Sequence, residues 1–275
     1  MNFRQRFFDP HSLWMISPEH LVDLMRKATM DASAPAPFPL SDASDTGDDD
    51  ADESAYEVEN GVAIIEISGV IVRTAEEDEC EYFGLCSLET VADAINQANA
   101  DPAVTAILLS IDSPGGEACG TPELADLVGI SSKPVCAWTP GLMASAAYFI
   151  GSQADLVFAS KSAMVGSIGT IMTTYDWTGY MAKLGIKPNV FTDSPLKASG
   201  HPGVEMTTEQ RSYLQSMVDE IGAAFRSAVV AQRGAVPSEA MQGQIFIGAS
   251  AQSVKLITGI SNREEAIQQL LKISA

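Results

Sequence analysis

Apolar positions divide the chain into two textures that meet near Val58. Beyond that point, short apolar runs alternate with stretches in which apolar residues recur every three or four positions, the mark of strands alternating with helices. Residues 62–72 read as strand material broken near Gly69. Residues 106–111 form an almost unbroken apolar run, as in a strand covered on both faces. Further strands are expected at 135–138, 156–159 and 189–192. Helices are expected over 89–100, with Val91, Ala92, Ile95 and Ala98 on one face, from Thr121-Pro122 onward, and over 175–184, stopping at Gly185. A longer helix follows. Thr207 and Gln210 have capping-box spacing, Leu214, Met217, Val218, Ile221, Phe225, Ala228 and Val229 make one stripe, and Gly234 supplies the stop. Together these predict an α/β fold: a mostly parallel sheet with packed helices and a long helix in its C-terminal part.

Before Val58 the pattern is different. Residues 1–30 predict a short helical element that includes Leu13-Trp-Met-Ile-Ser-Pro, with a helix start at Ser17-Pro18-Glu19 and Leu21, Leu24 and Met25 as its apolar face. Residues 31–56, rich in Ala, Pro, Ser and Asp, lack periodicity and predict a flexible acidic linker. Residues 57–275 are then one folded domain, and no internal repeat is evident.

Charge sharpens this division. Of the 36 acidic residues in a chain of net charge −20, fifteen lie between Ser41 and Glu81, against the single base Arg73. Such a surface repels nucleic-acid phosphate, and no basic patch offsets it. Met1 to Phe8 holds two arginines but no apolar run after them, so no secretory signal is read there. The uncharged window 134–154 has the length of a membrane span, yet Pro140, Gly141, Ser145 and Gly151 interrupt it, so it reads as core. Cys80, Cys86, Cys119 and Cys136 contain no CxxC pair and no histidine cluster, which disfavours zinc and fits a reducing compartment. Whether Cys80 and Cys86 pair is left open by spacing. No metal or cofactor is expected.

Three small-residue turns are candidates for chemistry. Asp112-Ser-Pro-Gly-Gly116 follows a buried strand, and its glycines let backbone N–H groups face a cavity, where they can hold an oxyanion. Taken alone, such a turn requires only positive φ. Gly141-Leu-Met-Ala-Ser145-Ala-Ala-Tyr148 places a serine between alanines at a strand-to-helix turn, the steric logic of a nucleophile elbow, although a helix-capping serine reads the same way. The Ala146 amide would lie beside that serine. Val165-Gly-Ser-Ile-Gly169 adds Ser167, which can orient an amine or be an ordinary loop serine.

A hydroxyl nucleophile needs a base. The three histidines serve poorly: His11 and His20 precede the linker, and His201 sits in a Gly/Pro turn without a carboxylate partner. Lysine is the other choice, because a dry cavity favours its neutral amine. Lys197, in Asp193-Ser-Pro-Leu-Lys-Ala-Ser-Gly200, has small and apolar company, although an exposed loop lysine would look alike.

In this order, Ser113-Pro-Gly-Gly, Met143-Ala-Ser-Ala-Ala-Tyr, Gly166-Ser-Ile-Gly and Lys197 resemble the signal peptide peptidase A family of serine–lysine peptidases. The likeness runs over about residues 58–262, including Met206-Thr-Thr-Glu-Gln and Phe246-Ile-Gly248. It implies a ClpP/crotonase-like fold and an acyl-enzyme peptidase. It also implies roles: Ser145 as nucleophile, Lys197 as general base, Ser167 as the group that orients the lysine, and the amides of Gly116 and Ala146 as oxyanion hole. Ala146-Ala147 departs modestly from the glycines usual after the serine. With no spanning helix at the front, the chain looks more like the phage-type capsid-maturation branch. That implies polypeptide substrates such as capsid or scaffold proteins, a homo-oligomer, and the bacterial cytoplasm or the phage prohead as location. Two other classes stay in view. A catalytically silent assembly module would have no chemical need for Ser145, Ser167 and Lys197 together. A crotonase-type acyl-thioester enzyme would bind coenzyme A.

Overall fold

The computed structural model describes residues 13–16, 20 and 55–274. Its central sheet has six strands. From one edge to the other they are Gly259–Ile260 (β13), Leu156–Ala159 (β10), Val135–Thr139 (β8), Ala106–Asp112 (β6), Val62–Ser68 (β3) and Glu57–Glu59 (β2). All pairings are parallel except that of β2 with β3.

Alternate residues of β3 and β6 face opposite sides, so each side needs its own cover. Val62, Ile64, Ala106 and Leu108 pack with Trp138 and Phe158 against Ala266, Ile267 and Leu270 of the helix Arg263–Ile273. Ala63, Ile65, Ile67, Ile107, Leu109 and Ile111 join the main core, which takes in the buried faces of helices Leu88–Ala100, Thr121–Gly129 and Ala146–Gly151. The unbroken apolar run of β6 is thus explained by burial on both sides.

Two smaller sheets carry the turns of interest. One has the order Trp14–Ile16 (β1), Gly115–Glu117 (β7), Val70–Val72 (β4) and Leu85–Ser87 (β5). The other has Ile245–Ile247 (β12), Met164–Gly166 (β11) and Leu142–Ala144 (β9). The long helix Thr208–Arg233 is capped as its sequence predicts. Thr207 Oγ1 accepts from the Gln210 N–H at 3.2 Å, the Gln210 side-chain oxygen accepts from the Thr207 N–H at 3.0 Å, and Gly234 is the C-cap. Leu214, Phe225 and Val229 of its stripe are buried, and Phe225 stacks on Phe149 with centroids 4.5 Å apart.

The α/β class with a parallel core, packed helices and a long late helix is therefore as expected from the pattern. Two local expectations are corrected. Trp14–Ile16 is a strand, not helix, because a backbone edge at β7 is available to pair with it. Residues 189–192 are irregular and Phe191 is 95% exposed, since no neighbouring strand meets that apolar run. The helix expected over 175–184 is shorter, Thr178–Lys183, and the Asp176 carboxylate accepts from the N–H and hydroxyl of Thr178 ahead of it. The helix start at 17–19 and the linker at 31–54 lie outside the described residues.

Candidate active site

Ser145 stands between β9 and the helix Ala146–Gly151, with φ 57° and ψ −119°, and is 1% exposed. Left-handed backbone at a non-glycine residue costs about 1–3 kcal/mol and persists only where the surroundings hold it. Here three backbone bonds do so. The Ser145 N–H donates to the Gly166 carbonyl at 2.8 Å, the Ala144 N–H to the Ser113 carbonyl at 3.1 Å, and the Ser113 N–H to the Leu142 carbonyl at 2.8 Å. The serine turn is thereby tied to the Gly-Gly turn on one side and to β11 on the other. Both flanking alanines are fully buried, as the tight turn requires.

Ser167, directly after β11, is also strained, with φ 53°, and its N–H donates to the Gln244 carbonyl at 2.6 Å. Ser145 and Ser167 open on the same cavity of about 620 Å³, whose wall includes Ile16, Thr170, Asp219 and Arg226. Asp219 and Arg226 come from the long helix, which sequence patterning read only as an apolar stripe. Thr170 Oγ1 is buried without a hydrogen-bond partner, so a polar atom stands ready at the cavity wall.

The Gly-Gly turn lies against the serine. A Cβ on Gly115 would stand 2.9 Å from the Ala146 nitrogen, and one on Gly116 only 1.7 Å from the Ile71 carbonyl oxygen. No side chain fits at either position: at Gly115 the backbone approaches the head of the serine helix directly, and at Gly116 it lies against Ile71 of β4. Gly116 itself is in β7, in register with Met15. The structure therefore brings Ser145 and Ser167 onto one cavity and Gly115 beside Ala146, while neither Gly116 nor Ala146 is among the residues lining that cavity. Lys197 is elsewhere: it is exposed, on the 3₁₀ turn Pro195–Ala198, and is not among the residues lining the cavity. Gln210 holds that turn through a 2.8 Å bond from its amide to the Pro195 carbonyl.

The cysteines are all free, Cys80 and Cys86 included. Burial pushes the thiols of Cys86 and Cys136 up to about 12, which leaves them inert rather than nucleophilic. Among the described residues no cluster of His, Cys, Asp and Glu is arranged to hold a metal, and no helix is long and apolar enough to cross a membrane.

A strained, buried serine thus stands on a strand-to-helix turn, facing a cavity beside a Gly-Gly backbone. The chain matches the model of peptidase family S49 over residues 130–274, and it belongs to that family. It is 34% identical to the "Putative protease MJ0651" of Methanocaldococcus jannaschii over 63% of this chain and 58% of that one. It is 28% identical to the capsid assembly protease C of Escherichia phage lambda over 81% of this chain and 52% of that one, and 26% identical to protease 4 of Salmonella typhi over 78% and 34%. The chain thus spans between half and three fifths of the length of the first two relatives. Among solved structures, an enoyl-CoA hydratase from Shewanella pealeana aligns with TM-score 0.47 and 14% identity over 80% of this chain and 72% of that one. The family likeness read from the four sequence motifs is borne out by the family match and the sequence relatives.

Proposed function

We propose that this protein is a serine endopeptidase in which Ser145 is the nucleophile and Lys197 the general base. The observation that carries this reading is the strained Ser145 turn, buried yet open to the cavity it shares with Ser167. In the reaction, Ser145 Oγ attacks the scissile carbonyl while its proton passes to the neutral Lys197 amine, which Ser167 orients. The N–H groups of Gly116 and Ala146 hold the oxyanion. The protonated lysine then gives its proton to the leaving amine, and water releases the acyl group from Ser145.

An exposed lysine is a poor base, so Lys197 has to be brought out of water. The stretch that carries it presents Tyr175, Trp177, Tyr180, Leu184, Ile186 and Phe191 to solvent, a concentration of apolar surface that marks a contact face. A second copy of the chain packed on this stretch would cover the apolar face and deliver a desolvated Lys197 to the serine. The likeness to a phage capsid assembly protease supports polypeptide substrates of the capsid or scaffold kind, cleaved in the cytoplasm or prohead.

The test is reaction with a fluorophosphonate, followed by intact mass and peptide mapping, on wild type and Lys197→Ala in parallel. A single adduct on Ser145 that is lost in Lys197→Ala is the expected result. An adduct that forms equally well in Lys197→Ala would remove the lysine from the mechanism. Binding of coenzyme A in place of peptide cleavage would favour the acyl-thioester alternative.

A further inference from the structure

The strand β1 has no part in the mechanism above, yet it lies in the middle of the site. Trp14, Met15 and Ile16 are 5%, 0% and 2% exposed, as deep as the core of a domain whose continuous described chain begins only at residue 55. The strand is held from both sides. Along one edge it runs antiparallel to β7, with Trp14 opposite Glu117, Met15 opposite Gly116 and Ile16 opposite Gly115. Along the other, the Trp14 N–H donates to the Ile171 carbonyl at 3.0 Å and the Ile171 N–H returns to the Trp14 carbonyl at 2.9 Å. Each edge belongs to a segment that carries a group of the proposed site: Gly116 on one, Ser167 four residues before Ile171 on the other.

The contact with the Gly-Gly turn is close. The Met15 carbonyl oxygen would lie 2.1 Å from a Cβ on Gly115. The Ala118 N–H donates to the Leu13 carbonyl at 3.0 Å, and the alternation of an antiparallel ladder makes Met15 and Gly116 the next hydrogen-bonded pair. The Gly116 N–H, the amide assigned to the oxyanion, is thus directed at Met15. Side chains alternate as in a bound peptide. Trp14 and Ile16 enter an apolar pocket with Val72, Phe83 and Leu85, while Met15 joins the main core. Ile16 also forms part of the wall of the cavity onto which Ser145 opens.

A peptidase takes an extended substrate in this manner, adding it as a strand between two backbone edges and reading alternate side chains in pockets. We propose that Leu13–Ile16 is an internal occupant of the substrate groove, a strand of the chain itself that stands where a substrate's backbone would lie and keeps the enzyme latent until it is displaced. The inference rests on the serine-peptidase reading and deepens it. The groove that opens on displacement selects an extended polypeptide with large apolar residues two positions apart, as Trp14 and Ile16 are. Because the occupant belongs to the same chain, only a substrate presented at high local density displaces it readily.

The experiment uses the full chain and its Met15→Pro variant, in which the lost N–H and fixed φ expel the strand from the ladder. The rate of fluorophosphonate attachment to Ser145 and the rate of cleavage of a fluorogenic peptide are followed, with circular dichroism melts to establish folding. Both rates are expected to rise about tenfold or more, and a synthetic peptide of residues 11–18 added in trans is expected to restore slow reaction. The double variant Trp14→Ala/Ile16→Ala empties the pockets without touching the backbone, and it serves if Met15→Pro does not fold. A folded variant that reacts at the wild-type rate or slower would overturn the occupancy while leaving the peptidase standing. Absence of any Ser145 adduct in wild type and variants alike would instead overturn the peptidase reading, and the occupancy with it.

Discussion

Among the described residues only Asn60, Ser145, Ser167 and Lys255 are non-glycine residues with positive φ, and two of these four are the serines of the site. Strain of this kind gives a stability prediction separate from activity. Ser145→Gly should abolish peptide cleavage while raising the melting temperature by a few degrees, since about 1–3 kcal/mol of backbone strain is relieved against roughly 0.5–1 kcal/mol of added chain entropy. Calorimetry on wild type and variant checks it, and a lower melting point would contradict the assignment of strain. Gly116→Ala should be far more damaging, on the order of 3 kcal/mol, because its Cβ would meet the Ile71 carbonyl oxygen. The Ser145 and Gly116 turns were legible in the sequence because small residues cluster where backbone must pass close to backbone. Thr170 and Arg226 were not: one looks like any polar loop residue, the other like the solvated face of a helix.

Elements bounded by side-chain chemistry were read well. Thr207, Gln210 and Gly234 mark the ends of the long helix in sequence and in structure alike, because capping depends on residues three apart and on nothing distant. Thr207→Ala should therefore cost about 1 kcal/mol in chemical denaturation, with the slope of the transition unchanged. Elements that depend on a distant partner were read poorly. Leu13 to Ile16 is apolar throughout and carries no period that separates helix from strand; β7, about a hundred residues away, decides the matter. Residues 189–192 show the converse, a run with strand composition that no other strand meets. Lys197 belongs to the same case. Its neighbours in sequence suggest a cavity, and its place in the fold is an exposed turn beside an uncovered apolar stretch.

At the scale of the molecule, that stretch predicts that specific activity rises with protein concentration. Phe191→Glu with Trp177→Glu should hold the protein at its smallest species in sedimentation velocity and lower peptide cleavage at least tenfold, with the melting temperature nearly unchanged. Activity independent of concentration would separate catalysis from assembly. Alkaline behaviour follows from the core. Burial holds the thiols of Cys86 and Cys136 at about 12 and raises the Tyr148 phenol, which donates to the Leu256 carbonyl at 2.8 Å. Groups that bind protons more tightly when folded lend stability that is complete below their unfolded values, 9.0 for the thiols and 10.0 for the phenol, and lost as pH rises toward the folded ones. Melting temperatures should accordingly fall between pH 9 and about 11, and a flat profile over that window would contradict the burial of these groups.

The helix Arg263–Ile273 and the strand β1 stand on unequal terms with the site. The helix Arg263–Ile273 covers the face of the central sheet away from the serine helix, so an affinity handle or fluorescent label on its exposed side meets no part of the cavity. One joined on the N-terminal side of Leu13 bears on β1, and the Leu13 carbonyl accepts from the Ala118 N–H directly after the strand that holds Gly116. Pulling on that end with optical tweezers would draw β1 out of its place before any strand of the central sheet gives way, and turnover recorded under load would report the moment of its release.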